Sequence, residues 1–317
     1  MPAPRPARRR TERVTAPATL VRLSGRDLPA SAKINLALHV TGRRTDGYHQ
    51  LSSLVAFAQA GDTLSVSAAE ADHFEVAGPF ASALAACASA DNIVLKALAA
   101  ARVVAARAGH DLGPLAIRLE KHLPVASGIG GGSADAAALL RLVADALPEL
   151  RQALRTIGLT LGADVPMCLD GVPSLVQGVG EQSMSLTRFP AVACLLVNPG
   201  VSVSTPAVFR ALQRRSNPPM PPVPGDGFET LDGLIDYLAH TRNDLEEPAA
   251  VLAPSIATVA DALQSVGARF QRMSGSGATV FGLFDSQDDA EAAAATIAAS
   301  HPDWWIAATR LKPSQET

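Results

Sequence analysis

The chain has 317 residues, enough for about two domains. Hydrophobic residues make up 48% of it and aromatic residues only 4%, so the core must consist mainly of Ala, Leu and Val. The formal net charge of -3 argues against a general nucleic-acid binder, and no uncharged apolar run reaches the roughly 18 residues that suggest a membrane span. We therefore expect a globular protein whose partners are neither nucleic acids nor membranes.

The first 27 residues differ in composition from the rest. Five arginines lie between residues 5 and 13 among Pro, Ala and Thr, and no apolar segment follows them. This is not the pattern of a secretory signal, and it predicts a disordered basic tail over residues 1–27. Three widely separated cysteines predict free, buried thiols in a reducing compartment: Cys87, Cys168 and Cys194. Together these features favour a cytoplasmic protein.

Apolar periodicity predicts a mixed α and β first half. In chain order the predicted elements are a strand at 32–38, a turn-rich loop at 41–47, strands at 51–57 and 63–67, a helix at 92–108 capped by Asp91 or Asn92, a strand at 115–119, helices at 133–147 and 150–158, and a turn at 162–166.

A second region begins near Pro190. Its predicted elements are a strand at 192–197, a helix at 206–213, an exposed loop at 214–227, a helix at 249–266 broken near Pro254, strands at 268–273 and 278–284, a helix at 287–299 and a strand at 304–311. With one extra helix allowed in the first crossover, this order is close to the split βαβ arrangement.

Four glycines and a serine stand between a predicted strand and a predicted helix, in the segment Leu123–Ala137 (LPVASGIGGGSADAA). Glycines let consecutive backbone N–H groups approach one anion, and the following helix adds its positive dipole end. The loop lacks the Gly-Lys-Ser/Thr of a Walker loop, and Ser133 stands where a dinucleotide fingerprint has its third glycine. It therefore favours a polyphosphate-binding loop, with a flexible turn that binds nothing as the alternative.

Lys33 and Asn35 project from the same face of the first predicted strand, because side chains repeat every two residues. Lys33 could simply be solvated, or it could contact phosphate or an attacking hydroxyl. Asp164, in the segment Gly162–Pro166, could be a helix N-cap or the carboxylate that accepts a proton from a substrate hydroxyl.

Two further segments carry weaker signals. Tyr48 and His49 close the loop after the first strand, where they could stack on a ligand ring or pack on their neighbours. The turn Ser274–Gly277 could be a plain hairpin or could bring a second set of N–H groups to the same phosphates.

Taken together, these segments resemble the GHMP kinase superfamily, and the resemblance covers roughly residues 28–312. The segments that carry it are Ala32–His39 (AKINLALH) with Gly42 and Asp46–His49 (DGYH), the loop Pro124–Ala137, Leu161–Pro166 (LGADVP) with Gly178–Glu181 (GVGE), and Met273–Ala278 (MSGSGA). The loop marks the superfamily. The first strand with DGYH narrows the resemblance to members whose substrate carries a cytidine diphosphate group.

The resemblance implies an α+β fold with the active site in the cleft between two domains. The N-terminal domain, at residues 28–186, would be ribosomal-S5-domain-2-like, and the C-terminal domain, at residues 187–317, ferredoxin-like. It also implies an ATP-dependent small-molecule kinase of isoprenoid biosynthesis, with magnesium accompanying ATP.

Site residues follow from the same resemblance, position by position. Asp164 resembles the catalytic base and Lys33 its partner, and Asn35 would lie near the transferred group. Tyr48, His49 and Phe209, with Thr205, resemble a cytosine-binding pocket. The ATP-binding residues would be Pro124, Val125, Ala126, Ser127, Gly128, Ile129, Gly130, Gly131, Gly132, Ser133 and Ala134.

The loop departs from the family pattern at two positions. Ala134 replaces a common serine, so any hydroxyl role falls on Ser133. Asp135 suits the helix dipole but should repel phosphate unless a cation or the helix geometry intervenes.

Other functions remain to be weighed. A homoserine- or mevalonate-type kinase is the near alternative, although those substrates have no base for Tyr48, His49 and Phe209 to contact. A nucleotide-binding regulator without turnover would not need both Lys33 and Asp164. A dinucleotide-dependent oxidoreductase is disfavoured by the position and pattern of the loop.

Overall fold

The structure is a computed structural model that describes residues 19–45, 47–84 and 91–314. The strands are β1 (Thr19–Leu20), β2 (Gly25–Arg43), β3 (His49–Ala68), β4 (His73–Ala77), β5 (His110–Asp111), β6 (Leu115–Glu120), β7 (Ser174–Gly178), β8 (Gln182–Ser185), β9 (Val192–Asn198), β10 (Phe270–Met273), β11 (Val280–Phe284) and β12 (Trp305–Leu311).

The helices lie between groups of these strands along the chain. They are α1 (Ala81–Leu84), α2 (Ile93–Arg107), α3 (Gly131–Ala146), α4 (Arg151–Leu161), α5 (Val165–Asp170), α6 (Thr205–Ala211), α7 (Leu231–Ala239), α8 (Glu246–Leu252), α9 (Ser255–Ser265) and α10 (Gln287–Ser300). Within the described ranges, no helix has the length and apolarity to cross a membrane.

A long antiparallel pair, β2 with β3, forms the centre of the first half. The two strands predicted at 51–57 and 63–67 are one strand, because Gly61 lets β3 continue against β2. A Cβ at Gly61 would lie 2.4 Å from the carbonyl oxygen of Ala30, so only glycine fits there. The predicted strand at 32–38 is confirmed, but both of its faces are buried and neither is a solvated polar face.

Helices α2 and α3 pack on this sheet and begin as the sequence indicates. The side chain of Asn92 caps α2 by accepting a 2.9 Å hydrogen bond from the N–H of Val94. Helix α3 begins at Gly131, two residues before its predicted start, because Gly130 takes the left-handed conformation (φ 67°) at its N-cap. The predicted turn at 162–166 leads directly into α5.

The second half forms an antiparallel sheet in the order β10-β11-β9-β12. In chain order, β9, β10, β11 and β12 therefore have the 2-3-1-4 arrangement of the ferredoxin-like fold, as predicted. The predicted break near Pro254 is confirmed, since α8 ends at Leu252 and α9 begins at Ser255. Helix α7 is an element that the sequence analysis missed.

The two halves share one sheet and one part of the core. Strand β12 pairs with β3 at Leu311 and Ala58, which makes a ten-stranded sheet among the described residues. One hydrophobic cluster includes Ile34 from the first half and Phe281 from the second. The predicted boundary at residues 186 and 187 falls between β8 and β9 and stays a prediction.

The predicted disordered tail is wrong for residues 19–27. Strand β1 pairs with β5, β2 already begins at Gly25, and the side chain of Leu23 is buried. Residues 1–18 and Cys87 lie outside the described residues. Cys168 and Cys194 are free and buried, as expected.

Candidate active site

An ion pair between two distant segments lies at the centre of the site. The Nζ atom of Lys33 on β2 is 3.0 Å from Oδ2 of Asp164 at the start of α5. Asp164 occupies the N-cap position, yet its side chain makes no capping hydrogen bond. Lys33 is buried and its side chain only 7% exposed, so the solvated alternative is wrong. The Asp164 carboxylate makes no capping bond and is 35% exposed, so a ligand in the site can reach it.

Asn35 holds the lysine in place. Its Oδ1 accepts a 2.8 Å hydrogen bond from Nζ of Lys33, and its Nδ2 donates one of 2.8 Å to Oγ of Ser53. The Ser53 hydroxyl donates in turn to the carbonyl of Ala37 at 2.6 Å. The predicted shared face of Lys33 and Asn35 is therefore confirmed, and Ser53 is a supporting residue that the sequence analysis missed.

The glycine loop lies directly beside the ion pair. The N–H of Lys33 donates to the carbonyl of Ile129 at 2.9 Å, which ties the loop to β2. A Cβ placed on Gly130 would lie 3.3 Å from two carbons of Lys33 and 3.9 Å from Oδ2 of Asp164. The first turn of α3, with its unpaired N–H groups, therefore begins next to the lysine and the carboxylate.

The turn Ser274–Gly277 packs on the glycine loop from the second half of the chain. The hydroxyl of Ser274 donates to the carbonyl of Gly128 at 3.2 Å, and a Cβ on Gly128 would lie 2.5 Å from the carbonyl oxygen of Ser274. Ser274 Oγ also accepts a 3.0 Å bond from the N–H of Asn35. The turn is thus more than a plain hairpin, because it braces the loop and β2 together.

A buried charge cluster lies beneath the start of α3. Nζ of Lys121 bonds Oδ2 of Asp135 at 2.8 Å and also bonds Oδ2 of Asp62. Oδ1 of Asp62 accepts from the backbone N–H groups of His122 and Leu123 at 2.6 and 2.9 Å. Of the two alternatives for Asp135, a cation or the helix geometry, the structure shows a cation, Lys121, which the sequence analysis did not identify.

Burial shifts the proton equilibria of this cluster. Desolvation, reinforced by Asp62, raises the pKa of Asp135 to about 7, although Lys121 opposes the shift. Burial disfavours the charged form of Lys121, but the two carboxylates outweigh it and raise the lysine pKa. Oδ1 of Asp135 is buried and has no hydrogen-bond partner among the described residues.

Aromatic side chains form another end of the site. The rings of His49 and Phe209 stack with centroids 4.6 Å apart, and Tyr48 is 66% exposed. Burial, followed by the charges of Arg43 and Arg215, lowers the pKa of His49, which keeps this imidazole neutral near pH 7.

One cavity of about 1090 Å³ contains nearly all of these groups. It is at the upper end of the range for a single small ligand, so it has room for two substrates. The predicted residues that line it are Lys33, Asn35, Tyr48, His49, Pro124, Val125, Ala126, Ser127, Gly128, Gly130, Gly131, Gly132, Ser133, Asp164, Thr205 and Phe209.

Two predicted ATP-binding residues do not line this cavity. Ile129 and Ala134 are buried, and they hold the loop in the core. Several lining residues were not predicted at all: Asn92, Ile93, Lys121, Arg43, Arg210 and Arg215. Of these residues, only Lys121 could have been found from the sequence. It lies just before the phosphate loop, where a lysine can pair with a nearby carboxylate or phosphate.

The described residues hold no group of three or more His, Cys, Asp or Glu side chains placed to bind a metal. Ser133 Oγ lies 3.6 Å from the Cβ position of Gly162, near Asp164. The Ser133 hydroxyl beside the loop is an oxygen donor of the kind that magnesium accepts.

Comparisons with known proteins agree with this fold and site. The model of the GHMP kinases N terminal domain matches residues 92–172, and that of the GHMP kinases C terminal matches residues 228–303. The matches therefore include the loop, Asp164, and strands β10 and β11 of the second-half sheet. The fold and the site together define a GHMP kinase.

The relatives are more specific. A 4-diphosphocytidyl-2-C-methyl-D-erythritol kinase of Sinorhizobium medicae (strain WSM419) is 52% identical over 89% of this chain and 94% of its own length. A crystal structure of 4-(cytidine 5'-diphospho)-2C-methyl-D-erythritol kinase is 34% identical, with a TM-score of 0.71 over 89% of this chain and 98% of its own. A homoserine kinase from Cytophaga hutchinsonii, 16% identical at a TM-score of 0.57, shares the fold alone. This chain belongs to the 4-diphosphocytidyl-2-C-methyl-D-erythritol kinase family.

Proposed function

We propose that this protein transfers the γ-phosphoryl group of ATP to the 2-hydroxyl of 4-diphosphocytidyl-2-C-methyl-D-erythritol, giving the 2-phosphate and ADP. The reaction belongs to the non-mevalonate route to isopentenyl diphosphate. The observation that carries the proposal is the 3.0 Å pair between Lys33 and Asp164 beside the first turn of α3. Family membership at 52% identity supports the choice of substrate.

In this mechanism Asp164 is the base. Its carboxylate, 35% exposed, accepts the proton of the substrate hydroxyl as that oxygen attacks phosphorus. The ammonium of Lys33 holds the carboxylate on one side and offers positive charge to the transferred group on the other. Asn35 keeps the ammonium in this position through its 2.8 Å hydrogen bond.

The glycine loop binds the phosphates of ATP. Residues 124–134 supply the backbone of this loop, and the backbone N–H groups at the start of α3 favour an anion there. The hydroxyl of Ser133 is the only side-chain hydroxyl from the loop residues Gly130–Ala134. Asp135 does not repel the triphosphate as a free charge would, because Lys121 neutralises it at 2.8 Å.

Magnesium is part of the proposal. Ser133 is the loop side chain that would contribute an oxygen ligand, together with phosphate oxygens and water. When bound, the ion would offset negative charge on the transferring phosphates.

The acceptor substrate extends toward Tyr48, His49 and Phe209. A cytosine ring can stack on these side chains, and the neutral His49 offers an unpartnered Nε2 among the described residues for a hydrogen bond. Thr205 contacts the Ser274–Gly277 turn through a 2.7 Å bond to the hydroxyl of Ser276. A homoserine or mevalonate substrate would leave this aromatic end without a partner.

A cytoplasmic location completes the proposal and is supported by the free, buried thiols of Cys168 and Cys194. A regulator without turnover is disfavoured because it would not need both Lys33 and an accessible carboxylate at Asp164.

A parallel substrate assay tests the function. Purified protein with Mg-ATP is offered the cytidylated methylerythritol, homoserine and mevalonate, and ADP release is recorded for each. We expect ADP release with the cytidylated substrate alone. Release with homoserine or mevalonate only would overturn the substrate assignment, and release with none of the three would favour the regulator.

A further inference from the structure

Three arginines line the aromatic end of the cavity and come from three separate segments. Arg43 ends β2, Arg210 lies on α6 directly after Phe209, and Arg215 lies in the loop that follows α6. We call Arg43, Arg210 and Arg215 the arginine rim. The mechanism proposed above assigns no role to any of these three arginines.

Backbone contacts hold two parts of the rim near His49. Arg43 is the cross-strand partner of His49, and its Nε donates to the carbonyl of Gly47 at 3.2 Å. The loop that carries Arg215 is bound to β2, because the N–H of Asn217 donates to the carbonyl of Val40 at 3.0 Å. The charges of Arg43 and Arg215 both act on His49, which places them beside the aromatic end.

Two arginines of the rim have no counter-charge among the described residues. In the part of the chain that the structure describes, neither Arg210 nor Arg215 takes part in an ion pair. Within the described ranges, each of the three carboxylates that line the cavity is paired with a lysine instead: Asp91 with Lys96, Asp135 with Lys121, and Asp164 with Lys33. The aromatic end therefore carries surplus positive charge that faces a ligand.

We propose that Arg210 and Arg215, assisted by Arg43, bind the diphosphate group of the acceptor substrate. This inference rests on the proposed function, which supplies a diphosphate between a base that stacks and a hydroxyl that reacts. The ATP phosphates bind to the glycine loop, which lies beside Lys33 and Asp164. The arginine rim lies beside His49 and is therefore available for a different phosphate group. Guanidinium groups suit this task because they donate paired hydrogen bonds to phosphate oxygens.

The test separates phosphate recognition from base recognition. Calorimetric titration measures the affinities of cytidine diphosphate and of cytidine for the full-length wild type, Arg210→Ala, Arg215→Ala and Arg215→Lys. Arg214→Ala is the matched control, since Arg214 is an exposed neighbour that does not line the cavity. Melting temperatures verify that each variant is folded.

Each alanine variant of the rim should lower the affinity for cytidine diphosphate about tenfold, while the affinity for cytidine should change less than about twofold. Arg215→Lys should recover part of the loss, and Arg214→Ala should behave as wild type. The KM for the cytidylated substrate should rise in the rim variants while the KM for ATP is unchanged.

Two results would overturn the inference. Equal losses for cytidine and cytidine diphosphate would mean that the rim supports the base pocket, and unchanged affinities would mean that it binds nothing. Both leave the proposed function intact, because the wild type still binds and phosphorylates its substrate. A wild type that neither binds cytidine diphosphate nor releases ADP would instead refute the proposed function and this inference together.

Discussion

At the scale of single residues, the site contains two groups of opposite charges in contact. Lys33 pairs with Asp164 in the cavity, and Lys121 pairs with Asp62 and Asp135 beneath the loop. Only the first pair leaves a carboxylate 35% exposed, and only that pair can exchange a proton with a substrate. The Lys121 cluster of three residues is buried, so its role is to set the charge under the phosphate loop.

The buried cluster should make stability depend on pH. The folded pKa of Asp135 is about 7, well above the ordinary value of 3.8, so the folded state binds the proton more tightly than the unfolded state. Its contribution to the free energy of unfolding is therefore fully present below about pH 4 and is lost as the pH rises toward 7. In urea unfolding between pH 4 and 7, the stability of wild type relative to Asp135→Asn should fall steadily.

A control on the same helix sharpens this test. Asp145 is exposed near the end of α3, so the profile of Asp145→Asn should run parallel to that of wild type. Parallel profiles for wild type and Asp135→Asn would show that Asp135 does not titrate in this range.

At the scale of elements, the glycine loop needs glycine for two reasons. Its backbone takes left-handed conformations, and it packs closely against the backbone of another segment. Gly128 has φ of 79°, and a Cβ there would lie 2.5 to 2.8 Å from backbone atoms of Ser274 and Gly277. Gly132, inside the first turn of α3, has no atom closer than 3.7 Å to its Cβ position.

Gly128 and Gly132 should therefore differ in how well they tolerate substitution by alanine. Gly128→Ala should lower the free energy of unfolding by about 2 kcal/mol or more, because it combines a left-handed conformation with a backbone clash. Gly132→Ala should be neutral or slightly stabilising, because Ala favours helix. Urea unfolding of both variants measures the difference, and equal losses would contradict the packing of the loop on the Ser274–Gly277 turn.

Sequence patterns predicted most elements because their signals are local. Asn92 as a cap and Pro254 as a helix break each act within a few residues, and both were found. Helix α7 was missed because it is short and contains Gly233, which weakens its helical pattern. The single strand β3 was split in the prediction because Gly61 reads as a turn, and only its contact with Ala30 shows otherwise.

The site was predictable where a motif carried it and not where tertiary contacts did. Lys33 and Asp164 came from the family resemblance, since residue spacing alone left solvated and capping alternatives open. The pairing of Lys121 with Asp62 joins residues 59 positions apart, and no local pattern reveals it. The rim arginines likewise lie on separate segments that only the fold brings to one cavity.

At the scale of the whole molecule, the two halves depend on each other. The guanidinium of Arg272 in the second half is buried and donates a 2.9 Å bond to the carbonyl of Leu36. The N–H of Leu38 donates to the carbonyl of Arg242 at 2.9 Å, and the N–H of Lys312 to that of Phe57 at 2.7 Å. A shared sheet and core of this kind should couple the halves energetically.

Heating should therefore unfold the protein in one transition. In scanning calorimetry, we expect a single peak whose calorimetric and van't Hoff enthalpies have a ratio of about 1. Two resolved peaks, one of them moved by ATP and the other not, would show that the halves unfold independently.

The central claim is that Asp164 accepts the proton of the substrate hydroxyl beside an ATP held by the glycine loop. The most direct measurement is the turnover of Asp164→Asn with Mg-ATP and the cytidylated methylerythritol, together with its ATP dissociation constant. Asp170→Asn, on the same helix and outside the cavity, is the control. We predict that kcat falls about 10²–10⁴-fold in Asp164→Asn while ATP affinity stays within about twofold. Turnover near the wild-type rate in that variant would contradict the account.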